Sequence, residues 1–211
     1  IKNKIDLEDI RDWDKAKKNS NEYELIHLPS RKLKHESIAA YEPLSRSYFK
    51  MWEILHNYGF FQPDQQKAPI NIVNIAEGPG GFIEALVNYR YKYFRMTDNI
   101  NAITLKSMTK EIPGWDKAHT FLRENQNIKI NYGADNTGNI YKLENMKHFV
   151  DNLNEKADFI TADGGFDFSN DFNDQERQSL RIIFCEVVLA LSCQNLGGTF
   201  ICKFFDLYSK T

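Results

Sequence analysis

The chain has 211 residues, 27 of them Lys or Arg and 29 Asp or Glu, with a formal net charge of -2. That size suits one globular domain with a real core and argues against a two-domain enzyme or a small stapled module. The near-neutral balance means that a polyanionic partner has to be met by a local basic patch. Three cysteines, Cys185, Cys193 and Cys202, form no CxxC and cannot all pair with each other, which points to a reducing compartment. There is no apolar run near ~18 residues and no cleavable signal pattern, as expected of a soluble intracellular chain.

In chain order, residues 1–40 read as a polar extension, partly substrate-facing, ahead of a domain over residues 41–211. Within the extension, Arg31, Lys32 and Lys34 form a basic cluster suited to a polyanionic partner. A helix is predicted over Pro43 to Tyr58, where Leu44, Tyr48, Met51, Trp52 and Leu55 share one face. Strands follow at Ile70 to Ala76, Ile100 to Leu105, Ile128 to Tyr132, Asp158 to Ala162 and Thr199 to Phe204. Helices fit between them at Ile83 to Tyr93, Trp115 to Glu124, Leu143 to Leu153 and Asp174 to Cys193. In the last of these, Leu180, Ile183, Phe184, Val187, Val188 and Leu191 mark the apolar face, and Asn173 with Glu176 resembles a capping box. The alternation predicts an α/β fold, a doubly wound and mostly parallel sheet with helices on both faces. Ligands of such sheets lie at the strand C-termini.

The strand ends therefore carry the chemistry. After the first strand, Ala76, Glu77, Gly78, Pro79, Gly80, Gly81 and Phe82 form a turn with room for a nucleotide-like ligand. The turn is not GxGxxG, and no GxxxxGK[ST] occurs, so a Walker-type phosphate loop is disfavoured. Asp163 stands at the tip of the fourth strand, before Gly164 and Gly165, and Lys203 stands at the matching point of the fifth. Neighbouring strands lie roughly 5 Å apart, so the two can meet if those strands are adjacent. Tyr89 to Arg95 mixes aromatic and basic residues, which suits either base stacking or the exposed end of a helix. The five histidines are scattered, with no HxxH or HExxH, so no metal is expected.

The segments NIAEGPGGF, TADGGFDF and GGTFICKFFDL, in this order, resemble the FtsJ-like RNA ribose 2′-O-methyltransferases, which use S-adenosylmethionine. The likeness is greatest to the branch that modifies the first transcribed nucleotide of capped mRNA, viral cap enzymes included. SRSYFK, ending at Lys50, and ITLKS, from Ile103 to Ser107, fit the same pattern. The resemblance runs from about Leu44 to the end and implies a Rossmann-like methyltransferase fold.

It implies a catalytic Lys-Asp-Lys-Glu set of which three members map to Lys50, Asp163 and Lys203, with Lys203 as general base. Residues Ala76 to Phe82 would surround the methionine part of the cofactor, and Asn139 and Ile140 would contact its adenosine. Asn173, Asp174 and Gln175 match a substrate-facing loop. The chain departs from the pattern at Asn74, where an acidic residue is usual, and at Glu77, where small or apolar residues are usual. The family's Glu lies beyond the lysine strand, so the resemblance implies further strands after Thr211. The implied partner is RNA, with other capping or transcription proteins and without membrane or metal. The expected compartment is the cytoplasm, a virus factory or virion for a viral form, or the nucleus. Two other readings stand beside this one: a ribosomal or transfer RNA methyltransferase of the same fold, and an inactive RNA-binding scaffold.

Overall fold

The computed structural model describes residues 9–20, 39, 41–106, 114–165 and 175–204. Helix α1 (Ile10–Ser20) begins where the Asp9 carboxylate accepts the Arg11 N–H at 2.8 Å. Next come α2 (Ser47–Asn57), β1 (Asn71–Ile75), α3 (Gly81–Phe94) and β2 (Asn99–Ile103). A 3-10 turn (Asp116–Ala118) runs into α4 (His119–Glu124), followed by β3 (Ile128–Asn131) and α5 (Leu143–Asp151). The order closes with β4 (Ala157–Ala162), α6 (Gln175–Cys193) and β5 (Gln194–Cys202). Among the described residues no helix is long and apolar enough to cross a membrane.

The strands form one parallel sheet in the order β3-β2-β1-β4-β5. Its order reverses between β1 and β4, so the crevice for a ligand opens above those two strand ends. Alternation along β1 explains the two layers of helices. Ile72 faces a core shared with Tyr48, Met51 and Leu55 of α2 and Phe82, Ile83 and Leu86 of α3. Val73 and Ile75 face the other core, with Met146 and Phe149 of α5 and Ile182, Ile183, Leu189 and Ala190 of α6.

Three expectations are corrected. Helix α2 starts at Ser47, not Pro43, because Glu84 of α3 holds the preceding turn. Its carboxylate accepts the Tyr41 hydroxyl at 2.6 Å and the Leu44 N–H at 2.8 Å. Strand β5 starts at Gln194, directly after α6, and a register shift against β4 with Gly197 at φ +78° precedes regular pairing from Thr199. The third correction concerns α6, which buries Ser179, Ile182, Ile183, Glu186, Leu189, Ala190 and Cys193. Leu180, Phe184 and Leu191 instead are 54%, 67% and 69% exposed. The helix carries two apolar stripes, and the one with small Ala190 and Cys193 approaches the sheet more closely.

Arg90, in the mixed aromatic and basic segment, is fully buried and structural. It donates to Asp98 through Nε (2.6 Å) and Nη2 (2.7 Å) and to the carbonyls of Gln65 and Ala68. Phe61 and Phe94 cover its guanidinium. This pair closes the floor of the sheet, because Asp98 also accepts the Ile70 N–H at 2.9 Å ahead of β1.

Candidate active site

The turn after β1 is tightly wound. Ala76 takes a left-handed conformation (φ 56°), uncommon for a residue with a Cβ, and its N–H is fixed on the Ile103 carbonyl of β2 at 2.8 Å. Gly78 donates to Thr104 Oγ1 at 3.1 Å, and Gly80, at φ 104°, donates to the Glu77 carbonyl at 2.8 Å. The Glu77 side chain accepts the Phe82 N–H at 2.8 Å and so caps α3. A Cβ on Gly81 would collide with the hydroxyls of Ser45 and Ser47, so that glycine lets α2 and α3 meet at their N-termini.

The loop after β3 forms the next wall. Gly138 (φ 68°) lies so close to the Thr104 carbonyl that a Cβ would overlap it, and Lys106 donates to Thr137 O at 2.7 Å. Asn145, fully buried on α5, donates to the Asn139 carbonyl (3.0 Å) and accepts the Asp135 N–H (3.1 Å). The Lys142 ammonium, 2.6 Å from Asp135, holds that carboxyl well below the usual range.

Above β4 and β5, the Lys203 ammonium lies 2.8 Å from Asp163 Oδ1 and donates to the Asp163 carbonyl at 3.2 Å. The backbone sets this meeting: Ala162 pairs with Cys202, and the Lys203 N–H bonds Ala162 O at 3.0 Å. Both side chains are largely shielded, Lys203 at 23% and Asp163 at 13% exposure. Two further carboxyls feel them. Burial first, and then Asp163, push Glu77 well above the usual glutamate range. Burial pushes Glu186 up to about 7, against the opposing pull of the Gly164 N–H and Lys203. The cleft is therefore acidic around one ammonium. Among the described residues no group of His, Cys, Asp or Glu is placed to hold a metal ion.

Residues 43–211 match the family model for FtsJ-like methyltransferase. The chain belongs to the FtsJ-like methyltransferases. Cap-specific mRNA (nucleoside-2′-O-)-methyltransferase 1 of Homo sapiens is 31% identical over 155 residues, 69% of this chain and 18% of that protein. Cap-specific mRNA (nucleoside-2′-O-)-methyltransferase 2 of Danio rerio is 30% identical over 181 residues, 81% of this chain and 24% of that protein. The chain thus spans about a fifth to a quarter of these relatives' length. A solved structure of a ribosomal RNA methyltransferase, putative, from Plasmodium falciparum superposes with a TM-score of 0.48 at 23% identity. That match covers 79% of this chain and 80% of that one.

Of the residues singled out by the FtsJ-like pattern, the fold brings together Asp163, Lys203 and the turn Ala76 to Phe82. Lys50 lies on the exposed side of α2, and among the described residues it forms no ion pair with Asp163. The Asn139 carboxamide accepts the Tyr141 N–H at 2.9 Å, and the Ile140 side chain is buried in the core with Val73 and Ile103. Ile140 can therefore face a ligand only through its backbone. Gln175 opens α6, whereas Arg31, Lys32, Lys34, Asn173 and Asp174 lie outside the described residues. Asn74 is engaged within the sheet, donating to Thr161 Oγ1 at 2.6 Å.

Sequence reasoning singled out Thr104 among the strand ends but missed Glu186 and Asn145. The signal for Glu186 was a lone carboxylate inside the apolar run from Ile182 to Leu191.

Proposed function

We propose that this FtsJ-like domain transfers a methyl group from S-adenosylmethionine to a ribose 2′-hydroxyl of RNA, at the 5′ end of capped mRNA. The observation that carries the reading is the shielded Lys203–Asp163 pair beside the glycine-rich turn. The cap-specific names of the relatives support the choice of substrate.

The residues present fit the cofactor. The N–H groups that would cradle a phosphate are engaged internally, those of Gly80 and Phe82 by Glu77 itself. The Glu77 carboxyl thus occupies the anion-favouring N-terminus of α3 and leaves no place there for a phosphate. Glu77 Oε2 is buried without a protein partner, which suits a ligand bearing a sulfonium and an ammonium group. When bound, S-adenosylmethionine supplies an electrophilic methyl group on that sulfonium.

The Lys203 ammonium would first release a proton to solvent, and the amine would then take the proton of the ribose 2′-hydroxyl as that oxygen bonds to the methyl carbon. Loss of the methyl group would leave the donor as its neutral thioether, and the proton would stay on Lys203 Nζ. Asp163, 2.8 Å away, holds the ammonium that forms, and the partly dry cleft strengthens that attraction. Lys50 supplies a second cation on the α2 side to orient the RNA.

The test is methyl transfer to short capped and uncapped RNAs of the same sequence, with Lys203→Ala as control. The reading expects transfer to the capped RNA, abolished in the variant, and calorimetric binding of S-adenosylmethionine by both proteins. Transfer that survives Lys203→Ala sinks the base assignment; equal transfer to both RNAs sinks the cap assignment.

A further inference from the structure

We propose that Glu186 is a positioning residue that holds the strand ends carrying Asp163 and Lys203 in working register. The inference rests on the methyl-transfer reading above. Glu186 sits on α6, beneath the cleft, with no exposure. Its Oε1 accepts the Gly164 N–H at 2.8 Å, and its Oε2 lies 3.7 Å from Cys202 Sγ. One carboxylate therefore grips the residue after Asp163 and the residue before Lys203.

The sheet cannot do this alone. The β4–β5 ladder ends with the Lys203 N–H on Ala162 O, so the Gly164 N–H lies beyond it. Gly164 is shaped to the carboxylate, because a Cβ there would collide with Glu186 Oε1 and come within 2.8 Å of Ile182 Cδ1. The first glycine after Asp163 thus admits a side chain from below.

A carboxamide would satisfy the Gly164 N–H as well, so what the carboxyl adds is a charge that comes and goes with pH. The titratable groups around it are Asp163 above, Glu77 on the β1–α3 turn, Cys202 at the end of β5 with Lys203 just past it, Cys185 on its own helix and Tyr141 on the β3–α5 loop. Lys203 acts on Glu186 itself, and Arg181 acts on Cys185 and Tyr141. Lys203 opposes the burial that raises Glu186, so the charge on this carboxyl is tied to the strand end that carries Lys203, while the hold on Gly164 needs only an acceptor.

The experiment compares Glu186→Ala and Glu186→Gln with Lys203→Ala, measuring kcat and KM on capped RNA, cofactor binding by calorimetry and the pH dependence of kcat. Glu186→Ala is expected to lower kcat roughly 10- to 100-fold through misplacement of the pair, with cofactor affinity unchanged. Glu186→Gln, which keeps the acceptor for Gly164, is expected to recover most of kcat but to lose the inflection near pH 7. A purely structural Glu186 would leave kcat per folded molecule and the pH profile at wild-type values in both variants, and that result overturns the proposal. If Glu186→Ala does not fold, the Glu186→Gln profile decides alone. Transfer lost in Lys203→Ala but intact in both Glu186 variants removes only the positioning role; transfer surviving Lys203→Ala removes the base reading on which it rests.

Discussion

The Lys203 ammonium and the Asp163 carboxylate face each other at 2.8 Å from the ends of neighbouring parallel strands, one residue past the last paired positions. Regular pairing fixes the backbones of both, so the contact survives only small displacements of either side chain. Asp163→Asn is therefore expected to reduce kcat about 100-fold while leaving cofactor affinity unchanged. Methyl-transfer kinetics beside calorimetry check this; a loss of cofactor binding equal to the loss of rate would place Asp163 in the cofactor pocket instead.

Glu186 makes stability depend on pH with a defined sign. Its folded value of about 7 stands above the ordinary 4.5, so between these limits the folded chain keeps a proton that the unfolded chain has released. Wild-type stability thus falls as pH rises through that window, by roughly 3 kcal/mol if the whole shift is realised. Glu186→Gln lacks this term. Its melting temperature relative to wild type should climb from about pH 4.5 to about pH 7, and a constant difference would show that Glu186 titrates normally. Glu77, raised by burial, acts in the same direction.

At the opposite end of the sheet, Asp98→Ala leaves Arg90 charged and buried and frees the Ile70 N–H. Breaking one side of such a pair costs about 3–5 kcal/mol. Urea denaturation should show that loss, with methyl transfer per folded molecule intact. A cost below about 1 kcal/mol, the range of exposed pairs, would mean that water reaches the site.

The two apolar stripes of α6 separate by mutation. Leu189→Ala, at a fully buried position, is expected to cost about 2–5 kcal/mol. Leu191→Ala, at 69% exposure, should stay within about 0.5 kcal/mol of wild type. Thermal or urea unfolding distinguishes them, and equal costs would mean that something covers Leu191.

The sheet was legible in the sequence because β-branched runs between glycine turns leave few alternatives to buried parallel strands. Asp163 and Lys203 were legible for the same reason, since both end such runs and β4 lies beside β5. The rest depended on orientation. A helix with apolar residues all round, like α6, does not announce which stripe meets the sheet, so periodicity alone points Leu180, Phe184 and Leu191 inward and gives Glu186 no role. Composition around Tyr89 to Arg95 could not reveal that Arg90 turns inward to Asp98, eight residues on. Ile140 shows the same limit at the candidate site, where a residue expected to touch adenosine has its side chain in the core.

Thr104 joins the two walls of the cleft. Its hydroxyl takes the Gly78 N–H, and its carbonyl fills the space where Gly138 lacks a Cβ. Any lineage that replaces Gly138 must move the end of β2, and moving that end displaces the turn after β1. The link runs through the Thr104 hydroxyl and backbone atoms, so a side chain added at Gly138 is felt in the turn after β1 even though every residue of that turn is unchanged.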